Sequence, residues 1–164
     1  MKAASVNELK HELSTRSPKE LLELCLRLSR FKKENKELLT YLLYEASDEL
    51  AYIENIKREI DEAFKMINTK TFYYIKKSVR KILRTCKKYI RYSGQKETEV
   101  EILIYFCSKL KNMSPSIEKN VTLQNIYKRQ IVLIKKALSS LHEDLQYDYE
   151  RELNALYNDD NQIS

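Results

Sequence analysis

FYYIKKSVRKILRTCKKYIRYSG, residues 72–94, is the stretch on which the fold turns. Advancing 100 degrees per residue from Phe72, the side chains of Phe72, Ile75, Val79, Ile82, Leu83, Cys86 and Ile90 gather within one arc of about 100 degrees. Lys70, Lys76, Lys77, Arg80, Lys81, Arg84, Lys87, Lys88 and Arg91 fill the arc from about 40 to 180 degrees, and Tyr74, Ser78, Thr85, Tyr89 and Tyr92 take the remainder. A helix over about Thr71 to Tyr92 therefore has an apolar, a basic and a hydroxyl-rich face. Gly94 is the natural left-handed residue to close it.

The rest of the chain is made of the same material. One Gly and two Pro in 164 residues remove the raw material of β-turns, while Leu, Ile, Lys, Glu and Tyr favour long helices. An all-α protein follows. The length suits a single helical domain, residues 1–157, with a flexible tail at 158–164.

Moving outward, Leu50, Ile53, Ile56, Ile60, Phe64 and Ile67 recur at spacings of three and four, predicting a helix that ends near Asn68-Thr69. Before it, Leu38 to Tyr44 forms another helix that breaks near Ser47, and Lys32 to Lys36 reads as a turn. Ser17-Pro18-Lys19-Glu20 joins a capping serine, a proline at the first helical position and a glutamate that reaches back. The helix it opens, to about Phe31, is apolar over more than one stripe and is expected to be buried between two neighbours. A short amphipathic helix over about Val6 to Leu13 precedes it.

After Gly94, Thr98 with Glu101 has capping-box spacing and opens the candidate central helix, Ile102 to Leu110. Ser114-Pro115 ends that helix and caps the next, which runs on to Leu141. Leu145, Tyr149, Leu153 and Leu156 mark a last amphipathic segment. Short connections make successive helices antiparallel, predicting a bundle of six to seven helices, with a HEAT/armadillo-like stack of hairpins as the alternative. No residue pattern recurs at a fixed period.

The charge is split. From Ala63 to Lys96 there are 34 residues without an acid and eleven basic side chains, whereas the whole chain is only +6, so the remainder carries a net five negative charges. Like charges at i and i+4 cost about 0.2–0.5 kcal/mol each, so a compensating anion is expected. An antiparallel hairpin with the preceding helix sets Asp61 opposite Lys76 or Lys77 and Glu54 opposite Arg84 or Lys87. Glu59, Glu62 and Asp48 are expected to point to the far side.

That register leaves Lys77, Lys81, Arg84, Lys88 and Arg91 uncompensated over about 21 Å of helix. The strip matches a phosphate backbone or an acidic helix, and Tyr73, inside the basic arc, is placed to stack on a base. The partners expected are an acidic protein or nucleic acid. A membrane surface fits less well, because the arc opposite the charges is needed in the core. A structural module is the other non-enzymatic reading, in which leftover Leu- and Tyr-rich faces meet a second copy as a homo-oligomer.

Catalytic chemistry is poorly supplied. His11 and His142 are the two histidines, and neither belongs to a metal-ligand or Ser/Cys/carboxylate spacing. His142-Glu143-Asp144 is expected at a helix end, with the imidazole near free carbonyls. Asp61-Glu62 and Asp159-Asp160 are adjacent pairs that diverge by 100 degrees on a helix. No cofactor, metal or catalytic residue is expected, and a pocket between helices lined by His142, Tyr149 and carboxylates is what an enzyme would require. Cys25, Cys86 and Cys107 read as small core residues in a reducing compartment. With no signal-peptide-like or membrane-spanning apolar run, a cytoplasmic protein is expected.

Overall fold

The computed structural model describes residues 1–158. Its elements are α1 (Val6–Ser14), α2 (Pro18–Phe31), α3 (Lys33–Thr40), a π-helical turn (Tyr41–Glu45), α4 (Glu49–Lys65), α5 (Phe72–Ser93), α6 (Lys96–Lys111), a 3-10 turn (Ile117–Lys119), α7 (Val121–Leu138) and α8 (Glu143–Asn158). The all-α class holds, with eight α-helices among the described residues where six to seven were expected. Beyond Asn158, which closes α8, the expected tail lies outside the described residues. The contacts cluster into two compact units, Met1–Tyr44 and a second that begins at Glu45.

In the first unit, local capping sets the helices. Ser17 Oγ accepts from the Glu20 amide at 3.3 Å while the Ser17 amide donates to Glu20 Oε2 at 2.8 Å. Ser5 and Glu8 make the same box ahead of α1, at 3.3 and 2.7 Å. The turn expected over Lys32 to Lys36 shrinks to Lys32 alone, in extended conformation, because Asn35 Nδ2 donates to the Leu28 carbonyl at 2.8 Å and locks α3 onto the end of α2. Of residues 1–44, only Ser29 and Tyr41 are buried. The expectation that α2 is buried between two neighbours is therefore not met: it packs on α3 and leaves most of its leucines open.

The second unit is built around α6, which packs against α4, α5, α7 and α8. Val100, Ile102, Leu103, Phe106, Cys107 and Leu110 are fully enclosed, and the rings of Phe64 and Phe106 meet at 5.8 Å. The break expected near Ser47 is present, and Asp48 caps α4 by accepting from the Ala51 amide at 3.1 Å.

Two starts differ from the sequence reading. Thr98 does not cap α6, which begins two residues earlier; its hydroxyl is buried and donates to Glu49 Oε1 at 2.6 Å, so a tertiary partner claims it. The segment after Pro115 is a separate 3-10 turn, and α7 starts at Val121 because Asn120 Oδ1 accepts from the Leu123 amide at 3.2 Å. Cys86 and Cys107 are core residues as expected, their thiols pushed up to about 12 by burial, whereas Cys25 is exposed.

Candidate anionic-partner interface

Helix α5 is fixed at both ends and along one face. The Thr71 hydroxyl accepts from the Tyr74 amide at 3.5 Å, and Gly94, at φ 68°, donates its amide to the Ile90 carbonyl at 2.9 Å. Ile75, Val79, Ile82 and Cys86 are buried, while Phe72, Leu83 and Ile90, toward the edge of the apolar arc, are half-buried. That packing sets the rotation of the helix. The middle of the basic arc, about 140 degrees away, is consequently turned to solvent.

Lys77, Lys81, Arg84 and Arg91 are exposed. Lys88 is half-buried, its Nζ lying 5.1 Å from the centre of the Tyr89 ring and 5.9 Å from that of Tyr92. Tyr73 is 65% exposed and meets Tyr74 edge-on, with ring centres 5.4 Å apart. All six residues picked out from the sequence thus share one side of one helix.

The expected compensation from α4 does not occur. Asp61 turns to α6, where its Oδ1 is 2.7 Å from Lys109 Nζ and both carboxylate oxygens accept from the Tyr105 hydroxyl, at 2.8 and 2.9 Å. Lys109 holds the Asp61 carboxyl below its ordinary range. Glu54 pairs with Lys57, whose Nζ also lies 3.0 Å from Glu101 on α6. Burial opposes the charge on Lys57, but the two glutamates outweigh it and raise the pKa.

Glu59, expected to point away, reaches α5 through a hydroxyl: Tyr89 donates to its Oε2 at 2.8 Å. The physical reason is that α4 serves two neighbours: Asp61 finds a cation and a phenol on α6, Glu59 a phenol on α5, and Glu54 a lysine of α4 itself. Lys65 and Lys96, at the two ends of the acid-free run, are paired with Glu62 and Glu99. Among the described residues Lys77, Arg80, Lys81, Arg84, Lys87 and Arg91 make no ion pair.

Beside the strip runs a groove between α4 and α5 of about 270 Å³. Its lining includes Ile56, Ile60 and Ala63 from α4 and Ile82 and Cys86 from α5. Ser78, Lys81, Thr85, Tyr89 and Glu59 also line it, so Lys81 belongs to both groove and strip. Sequence reasoning named the residues of the strip and expected a groove adjoining the basic helix, but none of the groove's lining. The hydroxyl-rich face of α5 was its only visible sign.

The remaining polar clusters hold helices together. The Tyr149 hydroxyl bridges Glu97 and Glu101 at 3.1 and 2.9 Å, and burial followed by the hydrogen bond to Glu101 raises its pKa. His142 stands before α8 rather than near free carbonyls: its carbonyl accepts from the Gln146 amide and its Nδ1 accepts from the Asp144 amide at 3.4 Å. The cavity between α7 and α8, lined by Lys135, Gln146, Glu150 and Tyr157 among others, includes neither His142 nor Tyr149. Among the described residues no cluster of three His, Cys, Asp or Glu side chains is placed to hold a metal ion, and no helix is long and apolar enough to cross a membrane.

No protein-family model, curated protein or solved structure matches this chain.

Proposed function

We propose that this is a non-enzymatic binding or adaptor protein that captures an acidic, amphipathic helix of a partner protein along α5, within an antiparallel bundle built on α6. The observation that carries the reading is the cationic strip of Lys77, Lys81, Arg84 and Arg91, unpaired among the described residues, running beside a groove floored by Ile56, Ile60 and Ile82. A helix laid along the groove places apolar anchors at i, i+3/i+4 and i+7 over Ile56, Ile60 and Ile82, and its acidic flank on the cations. Lys81 supports this alignment because it lines the groove and carries one of the charges.

Single-stranded nucleic acid is the second reading, and exposed Tyr73 favours it, since an aromatic ring among cations is a stacking platform. Phosphate binding alone has no use for the apolar groove.

The test is a fluorescence-anisotropy titration of the full chain with three probes: an acidic Leu/Glu amphipathic peptide, the same peptide with its leucines replaced by serine, and single-stranded DNA. The proposal expects saturable binding of the first, with weakening by added salt and by the loss of leucine. Equal binding of the first two probes removes the groove from the account. Tighter binding of DNA than of either peptide moves the function to nucleic acid.

A further inference from the structure

The groove between α4 and α5 has walls of opposite charge. On α4, Glu59 lies about 60 degrees and Glu62 about 120 degrees round from Ile56, on the side away from α6. Lys57 and Asp61, which pair with α6, lie about 100 and 140 degrees round in the other sense. The α4 wall is therefore acidic. On α5 the groove rises from Ile82 and Cys86 through Ser78 and Thr85 to Lys81, and exposed Lys77 and Arg84 continue the slope. That wall is basic.

Among the described residues that line the groove, Glu59 is the carboxylate and Lys81 the cation. Glu59 is exposed and makes no ion pair among the described residues. The Tyr89 hydroxyl holds it from the opposite wall, donating to its Oε2 at 2.8 Å. A neutral phenol positions the carboxylate without cancelling its charge. The remaining lining is apolar or hydroxyl-bearing apart from the buried Cys86 thiol, so an occupant meets one negative and one positive edge with an apolar floor between them. Glu62, the next acid outward on α4, is paired with Lys65 and adds no net charge to its edge.

We infer that Glu59 is a specificity-determining residue of this groove, and that the partner helix carries a basic residue, lysine or arginine, on the flank opposite its acidic one. The inference rests on the helix-capture reading above and names the half of the partner which that reading leaves open. A helix seated on Ile56, Ile60 and Ile82 turns one flank to α5 and the other to α4. Acids on both flanks set a like charge beside Glu59, whereas a cation there removes the repulsion and adds an attraction. Either flank of a ligand can carry the cation, because reversing the helix in the groove exchanges its flanks. The cation thereby also fixes the direction in which the partner lies.

Anisotropy titrations of the full chain at fixed salt test this with two peptides: the acidic Leu/Glu peptide, and the same peptide with the glutamates of one flank replaced by lysine. The quantity read is the ratio of the two dissociation constants, which cancels any effect of a variant common to both peptides. Glu59→Lys is expected to shift the ratio at least about tenfold toward the all-acidic peptide. Glu59→Gln, which leaves the Tyr89 hydroxyl an acceptor, shifts it about threefold in the same sense. Glu118→Lys, the same charge change at the exposed turn before α7, leaves the ratio within about twofold of wild type. A ratio unmoved at Glu59 while both peptides bind overturns the inference and leaves the capture reading standing. So does an equal shift in Glu118→Lys, or a shift with Glu59→Lys but none with Glu59→Gln, where the introduced charge alone is responsible. Failure of both peptides to bind removes the capture reading and this inference with it.

Discussion

Lys109 Nζ lies 2.7 Å from Asp61 Oδ1, and this pair turns the acidic side of α4 toward α6 rather than toward the most basic helix of the chain. The consequence is that Lys77, Arg80, Lys81, Arg84, Lys87 and Arg91 of α5 make no ion pair among the described residues. A helix adjacent in sequence is thereby left charged so that a helix 44 residues further on can be anchored.

The Asp61 pair gives stability a definite pH dependence. The folded pKa lies below the ordinary value of 3.8, so the contribution is fully present above that value and is lost as pH falls through the lower folded one. Chemical denaturation of wild type and Asp61→Asn at several pH values checks this. The gap between the two is expected to be constant well above the ordinary value of 3.8 and to close as pH falls below it.

Gly94 sits at φ 68° with no heavy atom within 4 Å of where a Cβ would stand. The cost of Gly94→Ala is consequently backbone strain alone, about 1–2 kcal/mol. Gly94→Asn recovers much of it, since asparagine tolerates the left-handed region. Denaturation midpoints of the two variants measure the difference. Equal losses would point to a clash instead.

Gln130 is a weak point in the core. It is 2% exposed, its Nε2 donates to the Ile126 carbonyl at 2.9 Å, and its Oε1 has no hydrogen-bond partner among the described residues. Replacing a buried unsatisfied amide by an apolar side chain of similar shape removes a desolvation penalty of about 1–3 kcal/mol. Gln130→Met is expected to raise the thermal midpoint, and Gln130→Ala to lower it through the cavity it leaves.

Much of this was readable from residues near one another. The α5 helix, its apolar arc and its glycine stop are consequences of spacing within 23 residues, and burial of Ile75, Val79, Ile82 and Cys86 follows the arc. The Ser17–Glu20 box is equally local. What spacing cannot encode is choice among neighbours: Thr98 has the right residue three positions on, yet its hydroxyl goes to Glu49, 49 positions away. Asp61 and Glu54 were placed against α5 by hairpin adjacency, but Asp61 goes to Lys109 and Tyr105 on α6, which no turn joins to α4, and Glu54 pairs with Lys57 within α4. Leucines on α2 signalled burial correctly as chemistry but not as geometry, because one hairpin offers only one covering helix. The lining of the groove beside Lys81 was not legible for the same reason, being a property of how two helices fail to close.

The central claim is that binding is located on the α5 strip and is not a general effect of a chain with net charge +6. Two variants with the same change in net charge separate these: K77E/K81E on the strip, and K128E/R129E at exposed positions on α7. In anisotropy titrations of the acidic Leu/Glu peptide at fixed salt, K77E/K81E is expected to weaken binding by at least about tenfold, roughly 1.4 kcal/mol, while K128E/R129E stays within about twofold of wild type. Equal weakening by both variants, or none by either, would contradict the account.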